Sequence, residues 1–83
     1  MKREKSAEIP LEVQQKLREI GLKVRNKRRA IEKNYEIFAQ TNHINKVTLS
    51  RIENGENFTM SSFIQVLSAM GITLEQFFSG DTK

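Results

Sequence analysis

The segment NYEIFAQTNHINKVTLSRIENG, residues 34–55, decides how this chain folds. It reads as two short helices separated by a tight polar turn. Asn45 suits an N-cap, because its side-chain oxygen can accept the free amide hydrogens of a first helical turn. Gly55 suits a terminator, because it enters the left-handed conformation at no steric cost. Between them, Lys46 to Asn54 spans roughly two and a half helical turns. Leu49 and Ile52 are three apart and point inward together. Lys46, Val47, Ser50 and Arg51 are left facing out. A projecting helix with hydrogen-bonding side chains and one short apolar residue suits base-pair edges in a major groove.

Upstream, Pro10 fits a first helical turn, where its missing N–H costs nothing. Val13, Leu17, Ile20, Val24 and Ile31 then recur at spacings of four, three, four and seven, a helical stripe running to about Lys33 that Leu11 extends at its start. Gly21 interrupts it at a cost of about 1 kcal/mol relative to alanine, which leaves room for a kink or break within the helix. Arg28 lies on the same stripe. A guanidinium on an inward face needs a partner, since an unpaired buried charge is very costly. Glu53, at the end of the projecting helix, is the natural one. Arg18, Arg25 and Arg29 share a different, exposed face.

Downstream, one pattern repeats at each helix start. Ile44-Asn45 with Leu49, Phe58-Thr59 with Phe63, and Ile72-Thr73 with Phe77 each place an apolar residue before a polar cap and another four after it, a hydrophobic staple. Gln76 adds a capping box to Thr73. Gly55, Gly71 and Gly80 stand where helices should stop. The predicted helices are 10–33, 35–41, 46–54, 60–70 and 74–79, in an all-α fold without strands. Residues 1–9 read as a mobile N-terminal tail, 10–80 as one domain and 81–83 as a C-terminal tail. Phe38, Phe58, Phe63 and Phe77 are assigned to the core.

Eighty-three residues give one modest core. No apolar run approaches the roughly 18 residues a membrane helix needs, and no signal-peptide pattern opens the chain. The lack of cysteine removes disulfides and thiolate chemistry and fits a cytoplasmic location. Charge is uneven: residues 1–51 carry 13 Lys/Arg against six Asp/Glu, whereas residues 52–83 carry one Lys against four acidic groups. A basic face attracts phosphate while an acidic far end repels it, so the domain would be oriented before it docks. The enzyme signals are missing. His43, the only histidine, falls in a polar turn, the carboxylates are scattered, and no glycine-rich phosphate loop occurs. Neither a cofactor nor a metal is expected. Tyr35 stands at the first turn of the second helix, where its hydroxyl and the free amides can hold a phosphate or simply pack on the surface.

VRNKRRA, FAQTNHI, TLSRIENGENFT and LSAMGITLEQFF resemble the Cro/repressor-type helix-turn-helix family, often called XRE-type regulators, over roughly residues 21–80. The resemblance implies a compact five-helix, lambda-repressor-like bundle, here with an extended first helix. It implies a small alanine, Ala39, where helices two and three cross, and an ion pair between Arg28 and Glu53. Base-reading positions fall on Lys46, Val47, Ser50 and Arg51. Phosphate contacts fall on Tyr35 and on the turn Asn54 to Asn57; Asn45 at the helix start, and Arg25 and Arg29 on helix one, join them if that helix flanks the groove. The family's turn usually has glycine where His43 stands, and glutamine is common where Tyr35 and Lys46 stand.

The expected function is therefore a sequence-specific, double-stranded DNA-binding transcriptional regulator, of repressor type. The competing expectation is an antitoxin-like interaction module whose main partner is another protein. One such domain reads few base pairs, which favours a homodimer on half-sites about 34 Å apart. Leu11, Leu17 and Phe78 are its interface candidates.

Overall fold

Short polar side chains begin four of the five helices. The computed structural model describes residues 9–79 and contains, among them, α1 (Leu11–Ile31), α2 (Tyr35–Thr41), α3 (Lys46–Glu53), α4 (Met60–Ala69) and α5 (Leu74–Ser79). Asn34 Oδ1 accepts the amides of Glu36 and Ile37, and Asn45 Oδ1 those of Val47 and Thr48. Thr59 Oγ1 accepts from Ser62 N. Thr73 and Gln76 cap each other's amides at 2.9 and 3.0 Å, the reciprocal box expected there. Pro10 opens α1 without a side-chain cap. The tails expected at 1–9 and 81–83, apart from Ile9, and the stop expected at Gly80 lie outside the described residues.

Helices α2, α3 and α4 end in the same way. One residue enters the left-handed region, its own amide bonds back three residues, and the following amide bonds back five. At α3 the pivot is Gly55 (φ 80°), with Gly55 N to Ile52 O at 3.1 Å and Glu56 N to Arg51 O at 2.9 Å. Gly71 closes α4 likewise. At α2 the pivot is His43 (φ 58°), with Ile44 N reaching Ala39 O at 2.8 Å. A left-handed L-residue costs about 1–2 kcal/mol, and glycine's extra chain entropy offsets roughly half of that. His43→Gly should therefore stabilise the domain by about 0.5–1 kcal/mol, read as a higher thermal midpoint. A lower midpoint would mean that the imidazole holds the turn through contacts of its own.

Val24, Phe38, Ala39, Ile44, Leu49, Ile52, Phe63, Val66, Leu67 and Phe77 form the core, with Ile20, Phe58, Ile72 and Leu74 packed at its margin. Phe63 is its aromatic hub, stacked on Phe58 and edge-on to Phe77. Ala39 in α2 is fully buried within this core.

Helix α1 meets the sequence expectation in one respect and departs from it in two. It runs through Gly21 without a break, and α3 packs close against that glycine: a Cβ there would lie 2.3 Å from the carbonyl oxygen of Ile52 and 2.8 Å from that of Glu53. It stops at Ile31 rather than near Lys33, since Glu32 turns extended (φ −150°) and Arg28 Nη1 donates to the carbonyls of Glu32 and Lys33. The apolar stripe is not buried throughout. Ile31 is exposed, and Leu11 and Val13 are 64% and 41% exposed because the first turns of α1 project past the other helices. Leu11 also falls about 140° around the helix from Val24, off the stripe altogether.

Candidate nucleic-acid interface

The site is built on one ion pair. Arg28 in α1 and Glu53 at the end of α3 are 4% and 7% exposed. Arg28 Nε donates to Glu53 Oε2 at 2.8 Å and Nη2 to Oε1 at 2.7 Å, a parallel two-pronged contact. With the remaining nitrogen on the carbonyls of Glu32 and Lys33, this guanidinium ties together the end of α1, the loop into α2 and the end of α3. The close approach at Gly21 sits two turns before Arg28 along α1, on the same two helices. Together these contacts fix how far α3 stands out.

With Leu49 and Ile52 buried, α3 shows the opposite face. Val47 and Arg51 are exposed, and Arg51 Nε is only loosely near Glu56 at 3.9 Å, so this guanidinium is available. Lys46 is less free than its position suggested. Its Nζ donates to Glu36 Oε2 at 3.1 Å, across the turn from α2. That hydrogen bond and the carboxylate charge raise the Lys46 ammonium above its ordinary pKa, so it stays cationic but held. Ser50 is half-buried and belongs to a chain of side chains: Arg25 Nη2 donates to Asn54 Oδ1 at 2.8 Å, and Asn54 Nδ2 donates to Ser50 Oγ at 3.1 Å. Arg25 Nε also lies 3.5 Å from Glu53 Oε1. Of the two α1 arginines assigned to phosphate, Arg25 is thus partly engaged within the protein, while Arg29 meets no carboxylate among the described residues.

Two open depressions flank α3. One, of about 290 Å³, is lined by Arg25, Arg29, Lys33, Tyr35, Ser50 and Asn54 above the buried pair. It brings Tyr35, at the start of α2, to the same hollow as the α1 arginines, with several cationic and amide donors facing one space. Such a hollow suits an anion such as a phosphate oxygen. The other, of about 310 Å³, lies between α3 and the start of α4 and gathers Thr48, Arg51, Asn57, Thr59 and Ser62. Asn57 therefore stands on the opposite side of α3 from Tyr35. Asn45, whose Oδ1 is spent on its cap, keeps only its amide NH₂ as a donor. Lys33 and Thr48 were not singled out from sequence. Each lies beside residues that were, but only the fold puts Lys33 near Tyr35 and Thr48 near Asn57.

Among the described residues no group of three or more His, Asp or Glu side chains could hold a metal, and no helix is long and apolar enough to cross a membrane. No protein-family model, curated protein or solved structure matches the chain, so its own residues carry the functional argument.

Proposed function

We propose that this chain is a sequence-specific regulator of transcription, of repressor type, that binds double-stranded DNA with α3 in the major groove and acts as a homodimer. The observation that carries the reading is the single surface formed by the outward side of α3 and the cationic hollow beside it. Val47, Arg51, Lys46 and Ser50 offer the apolar and hydrogen-bonding groups that base edges need. Arg29, Lys33 and Tyr35 lie where a flanking backbone would pass, at a site spaced to the side of the groove reader. Arg51 is the best-placed group for a bidentate contact to guanine, and Val47 for a thymine methyl. Lys46, held by Glu36, reaches a base or phosphate only as part of that pair.

Salt titration of binding to mixed-sequence duplex tests it. With three to five phosphates engaged per chain, log affinity should fall against log salt with a slope of about −2.7 to −4.5 for each chain bound. On a preferred site obtained from randomised duplexes, Arg51→Ala should cost about 1–3 kcal/mol and relax selectivity at one base pair. Arg29→Ala should weaken all sequences alike and flatten the slope by about one. A chain that leaves duplex DNA unbound even at low salt would point instead to a protein-interaction module. An equal loss on every sequence for Arg51→Ala would move Arg51 to the backbone contacts.

A further inference from the structure

We propose that α1 pairs antiparallel with α1 of a second copy of this chain, crossing between Leu17 and Arg18. This defines the interface of the dimer proposed above, yet it stands or falls without DNA. The first turns of α1 project beyond the bundle and leave Val13 exposed and Leu17 only half-buried, on one face with Ile20. Beside this face, a groove of about 230 Å³ between α1 and α5 is lined by Lys16, Glu19, Ile20, Lys23, Phe77 and Phe78, and Phe78 is 56% exposed. Val13, Leu17, Ile20 and Phe78 thus make one apolar patch that the described residues leave open.

The charges beside the patch identify its occupant. Glu12, Lys16, Glu19 and Lys23 run along one flank of α1 at spacings of four, three and four. Turned end for end about the midpoint between residues 17 and 18, this series meets itself with every sign reversed. Glu12 then faces Lys23 of the other copy and Lys16 faces its Glu19, each twice by symmetry. In antiparallel helix pairs the same flanks meet, and their charges set orientation and partner choice. Lys23 is held in place for this role, with Nζ donating to the Phe77 carbonyl and lying 4.6 Å from the centre of that ring. Lys16 and Glu19 already form an exposed ion pair within the helix, at 3.3 Å, which sharing with the partner would extend. The patch is small, so the pairing is reversible.

Analytical ultracentrifugation of the full chain, free of DNA, decides the matter. The unmodified protein should show a concentration-dependent monomer–dimer equilibrium. Lys16→Glu and Glu19→Lys, both at exposed positions, should each weaken dimerisation at least about tenfold by opposing like charges twice over. Their equimolar mixture should dimerise again, because a Lys16→Glu chain and a Glu19→Lys chain restore both cross-pairs. Loss of the pair within the helix cannot produce that rescue. Unchanged circular dichroism of each variant confirms folding. Three results would overturn the proposal: an unmodified chain that stays monomeric at about 1 mM, single variants that dimerise as it does, or a mixture that stays monomeric. Duplex binding is read separately, so either reading can fail alone.

Discussion

Glu53→Ala should destabilise the domain by about 3–5 kcal/mol, enough to leave much of it unfolded at physiological temperature. Arg28 is 4% exposed, and the substitution takes away the acceptors of its Nε and Nη2 together. The carbonyls of Glu32 and Lys33 would still hold Nη1, so the guanidinium stays where it is with its charge uncompensated. The hollow above the pair is lined by both side chains, so water enters the space the carboxylate leaves but supplies no compensating charge. Glu53→Gln keeps one acceptor but turns an NH₂ toward the guanidinium, and should cost less than alanine. The informative variant is the double one, Arg28→Met with Glu53→Leu. Removing both charges removes the desolvation cost as well as the attraction, so the pair of substitutions should cost less than Glu53→Ala alone. Urea unfolding midpoints give the comparison. A Glu53→Ala chain with the unmodified midpoint would show that the buried contact adds nothing, and a double variant worse than the single would show that the specific geometry, rather than charge burial, holds the three segments together.

The parts of this fold that follow local rules were legible in the sequence. Asn34, Asn45, Thr59 and Thr73 mark helix starts because their short oxygens do there what they cannot do mid-helix, and α2, α3, α4 and α5 begin at the expected positions. The Arg28–Glu53 contact was legible for a different reason. A charge on an apolar stripe is so unfavourable alone that it implies its partner. What remained hidden depends on what lies opposite a residue in space. Gly21 has the same propensity cost in any helix, and only the carbonyls of Ile52 and Glu53 above it show why the site has no side chain. The tie between Lys46 and Glu36 spans ten residues and a turn, beyond the three- and four-residue spacings from which helical ion pairs are read. The chain from Arg25 through Asn54 to Ser50 likewise joins α1 to α3. The exposure of Ile31 was hidden as well, since periodicity shows which residues share a face but not how far along the helix that face is covered.

Gly21→Ala should destabilise the domain by about 3 kcal/mol, although alanine is the better helix former by about 1 kcal/mol. The added methyl would sit 2.3 Å from one carbonyl oxygen, about 1 Å inside ordinary contact, and 2.8 Å from the next, and both belong to the backbone of α3's last turn. No rotamer change relieves that. The relief available is for α3's C-terminal end to move off α1, which draws Glu53 away from Arg28. Asn26→Ala, at an exposed site on the same helix, provides the control and should be stabilising by about half a kcal/mol through propensity alone. Because the clash and the ion pair act through one displacement, the two losses should not add. Gly21→Ala combined with Glu53→Ala should cost measurably less than the sum of the two, since a helix already lifted lets more water reach Arg28. To keep the doubly altered chain within a measurable range, the cycle can be run in the His43→Gly background. Additive losses would mean that Gly21 and the ion pair set the position of α3 independently. A Gly21→Ala chain as stable as the Asn26→Ala control would mean that the separation of α1 and α3 is free to relax, and that the height of α3 above the bundle is set by α2 alone.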